Sequence, residues 1–217
     1  MHAFFDDITP HPQGVDAETD LIHERAYIVR AYRKDDKTLW LRGAVRDQKP
    51  PGLYVPDDPE PLTVHHMILD LHITVSTMQI VGANVVMETH PHTNCPRIED
   101  HYQQLIGISI ARGFTHKVRE LFGGPRGCTH TTALLQAMAP VAVQSRWSFL
   151  MAAARAGGGS GEERGINVAA ANLNTCHIWA EDGEQVTAIR NGEPLEAPVW
   201  IKKRYAELGL DPSGWGS

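Results

Sequence analysis

Histidine and cysteine are the side chains here with the most chemistry to offer. The chain has 12 histidines, and eight of them fall between His65 and His130. Imidazole titrates near neutrality and binds metals, so such a run is a chemical hint. The most specific local feature is Gly123-Gly124-Pro125-Arg126-Gly127-Cys128-Thr129-His130-Thr131. Its glycines let backbone N–H groups approach a ligand, and it leads into an apolar helical segment whose N-terminus favours negative charge. It lacks the Gly-Lys-Ser/Thr ending of a phosphate-binding loop and the spacing of a dinucleotide fold. Cys128 and His130 at a helix start suit either an activated thiol or an oxyanion site built from backbone donors. A tight turn capped by Thr129, with Cys128 as a small apolar residue, accounts for the same residues without function.

Three further features carry chemistry. His90-Pro91-His92-Thr93-Asn94-Cys95 is ligand-like, and a zinc site there would be completed by Cys128 or His130. Asn94-Cys95-Pro96 also reads as a helix-initiating turn with proline at the first helical position. His65 is the lone imidazole on the apolar side of a strand. Such a histidine is more often a satisfied core residue, yet burial would keep it neutral and able to act as a base at pH 7. Tyr102 falls on the apolar side of a helix, where its hydroxyl needs a partner.

These residues must be positioned by recognisable elements. Four strand-like segments, Glu24–Arg33, Thr38–Arg46, Leu62–Val75 and Gln79–Thr89, are joined by a turn at Asp35-Asp36, a Pro-rich loop and a tight Ser76-Thr77 connection; the short connections predict an antiparallel β-meander. In the third, His65, Met67, Leu69, Leu71, Ile73 and Val75 share one face, while His66, Ile68, Asp70, His72 and Thr74 share the other. Helical spacing follows over Pro96–Ile106, Phe114–Phe122 and Thr129–Ala156, the last with Pro140 inside it, where a kink or break is expected. The fold class is therefore α+β: a meander packed against about three helices, with a small mixed C-terminal extension. The domain reading is a flexible arm over 1–20, a core over 21–156, a Gly-rich linker over 157–165, and an extension over 166–217 packing on the core. Within the extension, Ile166–Trp179 reads as extended, Val186–Arg190 as a segment between hairpin-type turns, and Trp200–Leu208 as a short helix.

Composition sets the outer limits. The 217 residues are 42% hydrophobic and 21% charged, which suits one well-packed domain. A net charge of −6 argues against non-specific nucleic-acid binding. No apolar run is long enough to span a membrane, no secretory signal is visible, and three widely spaced cysteines fit a reducing cytoplasm. The expected partner is a small molecule, with no nucleic acid or membrane, and a homodimer is compatible.

The chain resembles the bacterial DUF2889 family, catalogued only as a domain of unknown function. The resemblance rests on Leu62-Thr63-Val64-His65-His66-Met67, Cys95-Pro96, Tyr102-Gln103-Gln104-Leu105-Ile106-Gly107 and Gly124-Pro125-Arg126-Gly127-Cys128-Thr129-His130. It implies that His65, Met67, Cys95, Tyr102, Gly127, Cys128 and His130 are the family's pattern positions. Through the family's association with aromatic catabolism, it also implies an acid–base lyase that cleaves a C–C or C–O bond of a small lignin-type aromatic, with formaldehyde release from a hydroxymethyl side chain as one such activity. The residues are compatible with that chemistry, which needs a base for an alcohol proton, a donor for the developing phenolate or carbanion, and no cofactor. The expected catalytic set is His65 as base, Tyr102 as proton donor or orienter, and His130 with the Cys128 and Thr129 N–H groups as anion stabilisers. Met67, Arg126, Cys128 and Thr129 make the expected substrate-binding set. The pocket is expected between the third strand and the start of the long helix. The rivals are a zinc hydrolase using His90, His92, Cys95 and Cys128, a binding module for an apolar molecule, and a thiol enzyme with Cys128 as nucleophile.

Overall fold

Alternation of the inward apolar positions builds the sheet. In the computed structural model the described residues are Thr9, 11–16, 19–157, 172–193 and 197–211, with the side chains of 154, 155 and 157 left aside. The strands β1 (Glu24–Arg33), β2 (Thr38–Lys49), β3 (Leu62–Thr74) and β4 (Gln79–Thr89) pair antiparallel in chain order, the expected meander. Leu39, Leu41, Val45, Met67, Leu69, Leu71, Ile73, Val85 and Met87 are buried on one face, as a period of two demands. The other face carries polar residues in closed pairs. Asp70 accepts hydrogen bonds from Arg42 Nε at 2.8 Å and from Trp40 Nε1 at 2.7 Å. His72 Nδ1 lies 3.4 Å from Lys34 Nζ.

Helical segments cover the apolar face. α1 spans Phe114–Phe122 and buries Phe114, Val118 and Phe122. α2 spans Thr129–Gly157 and continues through Pro140 without a break. It crosses the sheet at Gly43, where a Cβ would fall 2.7 Å from Met138 Sδ and 3.1 Å from Leu134 Cδ1. The expected helix over Pro96–Ile106 is instead an 11-residue 3₁₀ helix, Cys95–Leu105. Its side chains are tied to β4, because Gln103 Nε2 donates to Ala83 O at 2.7 Å and Glu99 Oε1 accepts from Met87 N–H at 2.7 Å. Tertiary bonds of this kind override the helical period.

The chain divides into two compact units, Met1–Trp147 and Ser148–Ser217. The second holds a 3₁₀ turn at His177–Trp179, α3 (Glu184–Arg190) and α4 (Val199–Glu207), with Val186 and Ile201 buried. The segment Val186–Arg190 is thus helical, and the flanking dipeptides are its ends: Thr187 N–H bonds Gly183 O at 3.0 Å, and Gly192 has φ 79°. Asp-Gly and Asn-Gly punctuate helix ends as readily as hairpins. The Gly-rich stretch 158–165 lies outside the described residues, as do most of the arm 1–20 and residues 166–171 of the segment read as extended; over 173–179 that segment runs through turns and bends into the 3₁₀ turn and forms no strand. Among the described residues, no helix is long and apolar enough to cross a membrane.

Candidate active site

The inner face of the sheet changes character at one end. Arg25 is the register partner of Asp47, and Asp47 is the partner of His65, so the three side chains form a row across β1, β2 and β3. The row continues the apolar positions Val45 and Met67, which brings a carboxylate to the edge of the core. Register shifts interrupt the pairing beside Asp47 and beside His66. Irregularities of this kind re-aim side chains near functional groups.

Asp47 is the hub. Arg25 donates from Nε to Oδ1 at 2.5 Å and from Nη2 to Oδ2 at 2.7 Å, the bidentate fork that suits a planar guanidinium. His65 Nδ1 lies 3.1 Å and His130 Nε2 3.0 Å from the same Oδ2. His23 Nε2 is 3.6 Å from Oδ1. The His65 and His130 rings stack, with centroids 3.9 Å apart and planes at 27°. Asp47 is only 2% exposed, while the His65 and His130 side chains keep 23% and 14%, so solvent or a small molecule meets the imidazoles and not the carboxylate.

His130 arrives from the first turn of α2. The loop before it is fixed by close packing: a Cβ at Gly127 would fall 2.6 Å from Phe122 O. Tyr102 stacks on Phe122 at 4.7 Å, and its hydroxyl accepts the Cys128 N–H at 2.8 Å. Thr132 N–H returns to Cys128 O at 2.9 Å and starts the helix. Cys128 Sγ then lies 3.8 Å from His130 Nδ1.

Charge states follow from these contacts. Burial pushes the Asp47 carboxyl up, but the Arg25 bonds and charge outweigh it, aided by His130 and His23, and hold the group at about 2. The Arg25 guanidinium is pushed further above its ordinary range by its bond to Asp47. Burial, helped by the neighbouring His65, lowers His130 despite Asp47. Both imidazoles direct an N–H to the carboxylate, which assigns the tautomers and leaves His65 Nε2 and His130 Nδ1 as lone-pair atoms. His65 Nε2 makes no hydrogen bond among the described residues.

The site residues read from the sequence divide into two groups. His65, His130 and Cys128 come together, with Met67 buried one row below and exposed Thr129 opening α2. Tyr102 is 1% exposed, and burial raises its phenol against the opposing Cys128 N–H bond. Its hydroxyl is engaged with the Cys128 backbone, so that N–H is already taken. Arg126 turns to the end of α1, donating to Glu120 O and Arg119 O. His90 bonds the carbonyl of His92 at 2.9 Å, and His90, His92, Cys95 and Cys128 do not form a converging donor set. Among the described residues the converging set of three is Asp47, His65 and His130, with donor atoms within 4.8 Å of one another.

Asp47, Arg25 and His23 are absent from the sequence reading. The signal for Asp47 is the alternation Leu39, Leu41, Gly43, Val45, which, carried past Arg46, puts an acid on a buried face. Arg25 and His23 have no comparable signal, since surface strands commonly carry such residues.

These features define an α+β protein with a buried Asp–His cluster at one end of a meander sheet. The chain belongs to the family described as Protein of unknown function (DUF2889), which matches residues 23–144. Comparison with curated proteins and with solved structures returned no match.

Proposed function

We propose that the Asp47–His65–His130 cluster is a general acid–base centre and that the protein is a cofactor-independent lyase. Its substrate on this reading is a small lignin-type aromatic bearing a hydroxymethyl group, an expectation that comes from the family resemblance. The observation that carries the acid–base part is the pair of stacked imidazoles on one Oδ2, which leaves an oriented, unbonded His65 Nε2 beside solvent.

The reaction needs few parts. His65 Nε2 takes the alcohol proton. The freed oxygen pair forms the C=O bond of formaldehyde as the C–C bond breaks. The released electron pair stays on the activated carbon, and the His65 imidazolium returns the proton there. Asp47 stabilises the imidazolium and fixes its tautomer. Arg25 keeps Asp47 ionised throughout. Tyr102 positions the Cys128–His130 turn and does not itself meet the substrate.

Incubation of the purified protein with an aryl-propanediol phenol, with formaldehyde and aryl product both measured, tests this. Equal amounts of the two products are expected, with activity surviving chelation. His65→Ala and His130→Ala should each lower turnover by about 10²–10⁴-fold. Turnover unchanged by both substitutions would refute the roles. Activity that follows a bound metal would replace the reading with a metal centre, and aromatic recovered intact would replace it with a binding module.

A further inference from the structure

The lyase reaction leaves one aligned group without a task. Cys128 Sγ lies 3.8 Å from His130 Nδ1, and the far side of that ring bonds buried Asp47 at 3.0 Å. Thiol, imidazole and carboxylate thus stand in the order of a nucleophilic relay, in which the base takes the thiol proton and the acid orients the base. Cys128 is half-buried at the opening of α2, not sealed in the core. Its partner atom on His130 is the one that the tautomer leaves with a lone pair. The relay uses a different nitrogen, on a different ring, from the base of the lyase reading.

We propose that Cys128 is a nucleophilic thiol, with His130 as its base and Asp47 as the orienting carboxylate, and that it adds to small aldehydes. The choice of electrophile follows from the backbone. Acyl transfer at a helix start depends on N–H donors for the oxyanion, and the Cys128 N–H is bound to the Tyr102 hydroxyl at 2.8 Å. Addition to an aldehyde has no such requirement, because the imidazolium protonates the alkoxide as it forms. The S–H proton moves to His130 Nδ1, sulfur bonds the carbonyl carbon, and the C=O π pair moves to oxygen. The proton then passes from Nδ1 to that oxygen. Thiol and aldehyde give a thiohemiacetal, with nothing oxidised and no group lost. The inference rests on the His130–Asp47 geometry and does not require the lyase reaction.

The test follows alkylation of the full-length protein by iodoacetamide, with peptide mass spectrometry resolving Cys128 from exposed Cys176. Cys128 is expected to label about tenfold faster than Cys176 at neutral pH, despite its lower exposure. His130→Gln should slow Cys128 by about tenfold or more and leave Cys176 unchanged. Formaldehyde should protect Cys128 at concentrations that leave Cys176 reactive. Equal or slower labelling of Cys128 would overturn the proposal, as would a folded His130→Gln protein that labels like wild type. If His130→Gln does not fold, the wild-type rate ratio and the formaldehyde protection decide. Formaldehyde release from the aryl substrate is measured separately, so either proposal can fail alone.

Discussion

A single carboxylate oxygen accepts bonds from a guanidinium and two imidazoles at the centre of the candidate site. One negative charge cannot balance three cations, and Arg25 is permanently charged, so burial and then the neighbouring His65 lower His130 below its ordinary value. His65→Ala removes the neighbouring ring and admits water, weakening both causes together. The His130 titration midpoint, followed by NMR of the ring protons, should therefore rise towards the ordinary histidine value. A midpoint that stays put or falls would contradict this assignment. The same direction sets the acid limb expected for Cys128 alkylation under the proposed relay. His130 is neutral at pH 7 and becomes protonated only below the usual histidine range, so the relay should be lost there and not at neutrality. The residues visible in the sequence were the unusual ones: His65 interrupting an apolar face, and the Cys128–His130 pair behind glycines. Asp47 was hidden because one acid at a strand end resembles a solvated terminus.

The elements show which glycines are structural. Gly127 packs against the Phe122 backbone, with a Cβ 2.6 Å from its carbonyl oxygen, which cannot swing away. Gly43 faces Met138 Sδ at 2.7 Å, the far portion of a flexible side chain. Gly127→Ala should therefore cost roughly 2 kcal/mol or more and loosen the Cys128–His130 turn. Gly43→Ala should fall within about 1 kcal/mol of wild type, because the lost chain entropy of glycine offsets part of the strain. Urea denaturation of both variants checks the order, and equal losses would show that the glycine loop is not fixed as described. Strands β1 to β4 were legible because a period of two is a local property of the chain. The 3₁₀ form of Cys95–Leu105 was not, since Gln103 and Glu99 reach β4 residues far away in sequence. α3 was misread because a short segment between two turn dipeptides fits either period.

For the whole molecule, the Asp47 hub links stability to pH. Its pKa is lowered to about 2 in the folded chain, against about 3.9 when unfolded. A depressed carboxyl contributes stability above the unfolded value and loses it as pH falls through the folded one. The contribution is on the order of 2 kcal/mol, fully present by pH 5 and lost between about pH 4 and pH 2. The stability gap between wild type and Asp47→Asn should thus shrink by about that amount from pH 5 to pH 2, as measured by chemical denaturation. A gap independent of pH would mean that Asp47 is not ionised in the folded protein. The whole site lies within the first compact unit, Met1–Trp147, and within the residues 23–144 that define the family.

The sequence by itself determined the meander, the long helix behind the glycine loop and the inward set of β3, because periodicity and turn chemistry act over neighbouring residues. It also determined that a histidine sits on an apolar face and that a thiol and an imidazole open a helix. Only the tertiary structure decided that these groups meet, and that they meet around Asp47. Arg25, His65 and His130 lie 22, 18 and 83 positions from that carboxylate. Their convergence depends on strand register and on where α2 docks, both set by the summed packing of the core and not by any local run of residues.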